Sequence, residues 1–146
     1  MMIPPVDFFG LHLILVPYED MKIPLSASTD IEQSAEHVCS LYDLECMAVS
    51  VRTDHVHLLA RASAGRDVSE FVAMLLDRIR DAIANTAPLY RGFQWDDAVH
   101  VTLLPPWHVE ILASFVRDQD RYHATRSLED ELNEVFRPNA IGPEVN

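Results

Sequence analysis

The sequence predicts an α+β fold, in which an antiparallel sheet carries two helices on one face and an additional C-terminal helix lies over the other. The first observation is that strand-like apolar runs alternate with segments whose apolar residues recur at helical spacing. The second is their order, which is strand, helix, hairpin, helix, strand, helix. Such an order folds most simply as the ferredoxin-like or RRM-like arrangement, and it leaves the third helix for the open face of the sheet.

The first strand and the first helix have recognisable boundaries in the sequence. Residues 8–16 form a β-rich, largely apolar run that Pro17 ends. Residues 28–30, Ser-Thr-Asp, are N-cap candidates. They precede a segment of about thirteen residues with apolar positions at helical spacing, which predicts the first helix.

A hairpin and the second helix follow. Residues 45–52 and 55–62 are strand-like runs separated only by residues 53–54, a spacing that fits an antiparallel hairpin whose second arm opens with two histidines. Asp67 or Ser69 can cap the next helix, in which the apolar stripe has the helical period. The stripe consists of Val68, Phe71, Val72, Leu75, Leu76, Ile79 and Ile83.

The C-terminal part of the chain predicts one strand and two helices. Residues 93–95 suggest a short strand segment and residues 98–104 a fuller strand. Pro106 suits the first turn of a helix that extends to about His123. Residues 127–136 begin with a sequence like a capping box and predict a last short helix.

Length and composition indicate one folded unit. The 146 residues are expected to form a single domain, 1–146, with a core of about residues 8–136 that needs neither disulfides nor structural metal. No apolar run is long enough to span a membrane and the N-terminus lacks signal-peptide features, so we expect a cytoplasmic protein. Cys39 and Cys46 have a spacing that matches no metal pattern and are expected to be reduced and structural.

The charge of the chain is acidic but unevenly distributed. Eleven basic residues face twenty-three acidic ones, for a formal net charge of −12, which argues against a general phosphate-binding surface. Residues 52–91, however, contain six arginines and five acidic residues. We therefore expect an anionic ligand to approach the middle of the chain. The candidate nucleic-acid-binding residues in that segment are Arg52, Arg61, Arg78 and Arg80.

His55 and His57 are the most informative residues of the hairpin. Two residues apart on a strand, they would place both imidazoles on one face, with Cβ atoms roughly 6–7 Å apart. At that separation two neutral imidazoles can bind one metal ion, provided that the second nitrogen of each ring has an orienting partner. Two ligands alone do not make a site, and a His-x-His pair can also be polar surface.

A wider set of motifs has a familiar order. It consists of residues 53–59 (TDHVHLL), the helix from Val68, residues 93–95 (FQW), residues 115–119 (FVRDQ) and residues 122–123 (YH). In this order and spacing the chain resembles the HUH single-tyrosine transposases of small insertion sequences, including the REP-associated tyrosine transposases. The resemblance covers about residues 8–136.

The resemblance implies a metal-dependent reaction on DNA. In that family two histidines and a glutamine hold a divalent cation that polarises a DNA phosphate, and a tyrosine four residues before the glutamine attacks the phosphorus. Matched motif by motif, the metal ligands here would be His55, His57 and Gln119, and the position of the nucleophile is Phe115. The family metal is Mn²⁺ or Mg²⁺, and Zn²⁺ is an alternative because two imidazoles and an amide favour it over Mg²⁺.

Three functional hypotheses follow. The leading one is a transposase-like protein that binds single-stranded or hairpin DNA as a homodimer, by resemblance, and is defective in strand transfer because Phe115 has no hydroxyl. The second is an active DNA-nicking enzyme that uses Tyr122 or a metal-activated water. The third is a dimeric interaction module without nucleic-acid binding, which the net charge of −12 favours.

Overall fold

The computed structural model describes residues 8–63, 68–97 and 99–119. The predicted helix at residues 127–136, together with Tyr122 and His123, lies outside the described residues. In chain order the strands and helices are β1 (Phe8–Leu15), α1 (Ser28–Leu41), β2 (Glu45–Val51), β3 (Val56–Ser63), α2 (Ser69–Ala84), β4 (His100–Leu104) and α3 (Val109–Arg117).

The four strands form one antiparallel sheet in the order β2-β3-β1-β4. Strand β1 lies between β3 and β4, and α1 and α2 each connect two strands that are not neighbours in the sheet. This is the ferredoxin-like topology that the order of elements predicts, so the predicted fold class is confirmed.

One face of the sheet packs on α1 and α2. The side chains of Leu11, Leu13 and Leu15 alternate along β1 and all enter this core. From α2, Phe71 and Leu75 join them at helical spacing, and both are fully buried. Burial of each large side chain contributes about 1.5–3 kcal/mol, so this layer is the main source of stability.

The other face of the sheet packs on α3. With nine residues, α3 is too short to be stable alone in water and depends on its contact with the sheet. Its apolar residues have the spacing i, i+3, i+4, i+7, and Arg117 at its end donates a hydrogen bond to the carbonyl of Met47 in β2 (3.1 Å). The buried residues of this second core are Ala48, Leu59, Leu104, Val109, Leu112, Ala113 and Val116.

Both predicted helix caps are wrong. A 3₁₀ turn at Leu25–Ala27 leads into α1, so Ala27 is the N-cap residue and residues 28–30 are already helical. At α2, Val68 is the N-cap and Ser69 the first helical residue, while Asp67 lies outside the described residues. Neither cap makes a side-chain hydrogen bond, because alanine and valine have no polar side-chain atom.

The predicted strand segment at residues 93–95 is also wrong. Only Trp95 makes a sheet-like contact, an isolated bridge to Pro17. Because proline has no N–H, it cannot donate the next hydrogen bond of a ladder. The indole Nε1 of Trp95 instead donates to the carbonyl of Leu76 in α2 (2.9 Å). Strand β4 begins at His100 rather than at residue 98.

Candidate metal centre

His55 and His57 lie together beneath α3, at the end of the sheet where the β2–β3 hairpin turns. His57 is in β3, but His55 precedes the strand, because residues 52–55 form a four-residue connection rather than the predicted two-residue turn. The N–H of Arg52 donates to the carbonyl of His55 across this connection (2.9 Å). The two imidazole centroids are 5.0 Å apart and both residues are fully buried.

Gln119 reaches the same place from beyond the end of α3. Its side-chain Oε1 lies 3.1 Å from Nε2 of His55, and the residue is buried. Its amide nitrogen is directed to the carbonyl of Phe115, one turn earlier (3.4 Å), which turns the oxygen toward the histidine. The structure thus brings Gln119 and His55 together across 64 residues of sequence.

The other nitrogen of His55 faces Asp54. The distance from Nδ1 to the carboxylate Oδ1 is 2.7 Å, and the Asp54 side chain is about half-exposed. An ionised carboxylate only accepts hydrogen bonds, so Nδ1 carries the hydrogen and donates it. Asp54, in the connection between β2 and β3, therefore orients the first histidine.

His12, which the sequence did not reveal as a site residue, completes the group. It is fully buried in the central strand β1, and its Nε2 lies 2.9 Å from Nδ1 of His57. A signal was present in the alternation of β1, since His12 falls on the face opposite to Leu11 and Leu13. That signal could be interpreted only once the pairing of β1 with β3 was known.

The residues present fit a divalent cation. Both neighbours of His55 present oxygens, from Asp54 to Nδ1 and from Gln119 to Nε2. An imidazole satisfies both when Nδ1 carries a hydrogen and Nε2 carries a hydrogen or a metal ion. The 3.1 Å between Nε2 and Oε1 is a hydrogen-bond distance, and it also places both atoms close enough to bind one ion.

The described residues contain no metal-binding cluster built only from histidine, cysteine and carboxylate side chains. Among residues 8–63, 68–97 and 99–119, no group of three or more such side chains could hold a metal ion. A centre here therefore depends on the amide of Gln119, an oxygen ligand that binds less strongly than a carboxylate because it carries no charge.

Phe115 lies beside this group on α3. Its ring meets the ring of His57 edge to face, with centroids 5.9 Å apart and planes at 75°. Phe115 is half-buried, in contrast to the buried histidines. The position that the family motif assigns to the nucleophile is therefore adjacent to the candidate ligands, and the residue at that position has no nucleophilic atom.

The candidate arginines are spread over three elements, and Arg52 lies in the connection between β2 and β3. Arg61 is in β3, where its guanidinium lies over the Phe8 ring at 4.1 Å and 3.7 Å from Glu45. Arg78 and Arg80 are on α2, which packs on the opposite face of the sheet from the histidines. Arg80 is paired with Asp77 (3.1 Å) and Arg78 faces the groove between α1 and α2.

Cys39 and Cys46 form a separate pair between the end of α1 and the start of β2. Both are free, as the sequence predicts. The Cys39 thiol donates a hydrogen bond to the sulfur of Cys46, and this bond, together with burial, raises the pKa of Cys39 far above its usual value. The same hydrogen bond lowers the pKa of Cys46.

Within the described part of the chain, no helix is long and apolar enough to cross a bilayer.

Comparison with known proteins identifies the family of this chain and agrees with its fold. The family model described as "Transposase IS200 like" matches residues 7–119. A candidate transposase from Deinococcus radiodurans R1, of known crystal structure, superposes with a TM-score of 0.58 at 18% identity, over 77% of this chain and 91% of that one. That likeness shows the fold. No curated protein matches the sequence. With three-quarters of its length matched by the family model, the chain belongs to the IS200-like transposases.

Proposed function

We propose that this protein is a DNA-binding member of the transposase family that holds a divalent cation on His55, His57 and Gln119 but forms no covalent link to DNA. The observation that carries the proposal is the 3.1 Å approach of Gln119 Oε1 to His55 Nε2, with Phe115 against His57. Three side chains, two from the β2–β3 hairpin and one from beyond the end of α3, come together there.

The chemistry that the cation supplies when bound is the polarisation of a phosphate oxygen as a Lewis acid. The protein's own residues arrange the ligands. Asp54 holds the Nδ1 hydrogen of His55, which leaves Nε2 on the side of Gln119. The carbonyl of Phe115 holds the amide of Gln119 with its oxygen toward the same point.

Phe115 determines what this centre cannot do. A tyrosine at this position would offer a phenol to an activated phosphate, whereas phenylalanine offers a ring without a lone pair. The half-buried Phe115 ring rests on His57 and excludes water from that side of the imidazole. We therefore propose binding of a DNA strand without cleavage through a phosphotyrosine.

Calorimetry with Mn²⁺ and with Zn²⁺ tests the metal centre. We expect the wild-type protein to bind one ion per chain and the double variant His55→Ala, His57→Ala to bind none, because both imidazole ligands are gone. His37→Ala is the matched control, since His37 is exposed on α1 and far from the site. Thermal unfolding of each variant verifies that it is folded. Equal affinity in the wild type and the double variant would refute the centre.

Binding to single-stranded and hairpin DNA separates this proposal from a nucleic-acid-free interaction module, which the net charge of −12 favours. If phosphates are contacted, the logarithm of the binding constant falls linearly with the logarithm of salt concentration. Arg61→Ala should weaken binding and reduce that slope, because Arg61 is in the strand that contains His57. Absence of any binding at low salt would favour the interaction module.

A homodimer is also proposed. Strand β4 is an edge of the sheet, and the exposed apolar side chains Leu103, Trp107 and Ile111 lie on it and on the turn and helix that follow. Trp107 is 72% exposed, Ile111 64% and Leu103 61%, and exposed apolar side chains that group into a patch mark interaction sites. Light scattering at tens of micromolar should give twice the chain mass, and Trp107→Glu should shift it to the monomer. A monomeric wild-type protein would refute the dimer.

A further inference from the structure

We propose that His12 is a positioning residue for the metal centre: its Nε2 lies 2.9 Å from Nδ1 of His57 and, by accepting the hydrogen of that nitrogen, would fix the tautomer in which His57 presents Nε2 to the cation. This inference rests on the proposed metal-binding function. It assigns a role to a buried histidine that lies outside the two-histidine motif and on a different strand.

The contact is a hydrogen bond and not a face-to-face stack. The ring planes of His12 and His57 are inclined by only 21°, which alone would be compatible with stacking. The centroids, however, are 5.1 Å apart while the two nitrogens are 2.9 Å apart. Nearly coplanar rings with such values meet edge to edge, with the nitrogen lone pair and the N–H in line.

The sheet holds His12 where this bond requires it. In the register of β1 and β3, Ile14 is opposite His57 and His12 is opposite Leu59, so the two histidines are diagonal neighbours on one face. On its other side, β1 pairs with β4, where Thr102 is opposite His12. A residue in a strand paired on both sides has little freedom to move away from its neighbour.

Only one hydrogen can lie between Nε2 of His12 and Nδ1 of His57, so either His57 or His12 is the donor. If His57 donates, its Nε2 has a lone pair for a metal ion and His12 accepts through Nε2. If His12 donates, the neutral His57 carries its hydrogen on Nε2 and cannot be a ligand there. Only the first arrangement serves the proposed centre.

The two candidate ligands are thus oriented by different groups. His55 has the half-exposed carboxylate of Asp54, whereas His57 has the buried neutral imidazole of His12. An uncharged partner suits a position that is fully buried, because a carboxylate there would have to be desolvated. The choice of histidine at position 12 therefore follows from the depth of His57 in the fold.

Two substitutions separate orientation from packing. His12→Phe retains a ring of similar size but has no acceptor, and His12→Gln places an amide oxygen near the position of Nε2. We expect His12→Phe to weaken Zn²⁺ binding about 10–100-fold in calorimetry, as loss of an orienting partner does in other metal sites. His12→Gln should remain within a few-fold of the wild type. A purely structural role would lower the unfolding temperature in both and leave Zn²⁺ affinity unchanged, which would overturn the inference.

Nitrogen-15 NMR of the zinc-free wild-type protein reports which imidazole nitrogens carry a hydrogen. This measurement needs neither metal binding nor a folded variant. We expect His57 to carry its hydrogen on Nδ1, and His12 to have a hydrogen-free Nε2. A hydrogen on Nε2 of His57 would overturn the assignment to His12. If His57 shows the expected tautomer but the wild type binds no Zn²⁺, the proposed function fails instead.

Discussion

At Gly10 the sheet and α3 approach so closely that a single methyl group there should separate them. A Cβ atom built on Gly10 would lie 2.6 Å from Cγ2 of Val109, the first residue of α3, and 3.2 Å from Cβ of Leu104 on the neighbouring strand. Carbon atoms do not approach to 2.6 Å. Neither neighbour can yield easily, because a valine in a helix has one preferred rotamer and a Cβ moves only with its backbone.

The expected cost of Gly10→Ala is that of overpacking a well-filled core, about 1–3 kcal/mol of unfolding free energy. For a chain of this size that cost corresponds to a fall of about 3–12 °C in the unfolding temperature. Because Gln119 and Phe115 are on or beyond α3, the displaced helix should also weaken metal binding at His55.

Thermal and urea unfolding measure the effect, with Gly92→Ala as the matched control. An added Cβ at Gly92 meets nothing within 4 Å, so this variant should be within about 0.5 kcal/mol of the wild type. In the double variant Gly10→Ala, Val109→Ala the clash is relieved, so the two costs should not add. If Gly10→Ala is as stable as Gly92→Ala, the described packing of α3 on the sheet is wrong.

Three further outcomes are expected. Phe115→Tyr should cost less than about 1 kcal/mol of stability, since Phe115 is only half-buried and the change adds one hydroxyl in a similar volume, and a large loss measured by urea unfolding would contradict this. Asp54→Ala should reduce Zn²⁺ affinity about 10–100-fold in calorimetry by releasing the Nδ1 hydrogen of His55. Because its pKa is lowered, Cys46 should reach maximal alkylation at a lower pH than a free cysteine, whereas buried Cys39 should react only on unfolding. Mass spectrometry measures the alkylation of each cysteine-containing peptide. Faster alkylation of Cys39 than of Cys46 would contradict the described hydrogen bond between them.

The sequence was sufficient for the architecture because strands and helices differ in apolar period. The apolar stripe of α2 and the β-rich apolar run of β1 each depend on residues close together in the chain, and both appear in the structure as predicted. Helix starts were not predictable in the same way. Ser28 and Ser69 have side chains suited to capping, but each is the first residue of its helix and not the cap. Helix α1 continues from the 3₁₀ turn at Leu25–Ala27, and both helices are held by their buried apolar residues.

The site was predictable only in part. His55 and His57 are neighbours because they are close in sequence, and Gln119 was assigned through the resemblance to a family rather than from any local pattern. His12 required the register of β1 against β3, which is a property of the folded sheet. The orientation of each imidazole, by Asp54 and by His12, likewise depends on distances that a sequence does not contain.

The central claim is that the protein binds DNA at a metal centre where Phe115, which has no nucleophilic atom, occupies the position of the nucleophile. The most direct test uses the wild-type protein with labelled hairpin DNA and Mn²⁺. A native gel reports binding, and a denaturing gel of the same reaction reports covalent adducts. We predict a shifted band in the native gel and none that survives denaturation, because the ring of Phe115 cannot attack phosphorus. An adduct in the denaturing gel would contradict the account and would make Tyr122 the first residue to examine.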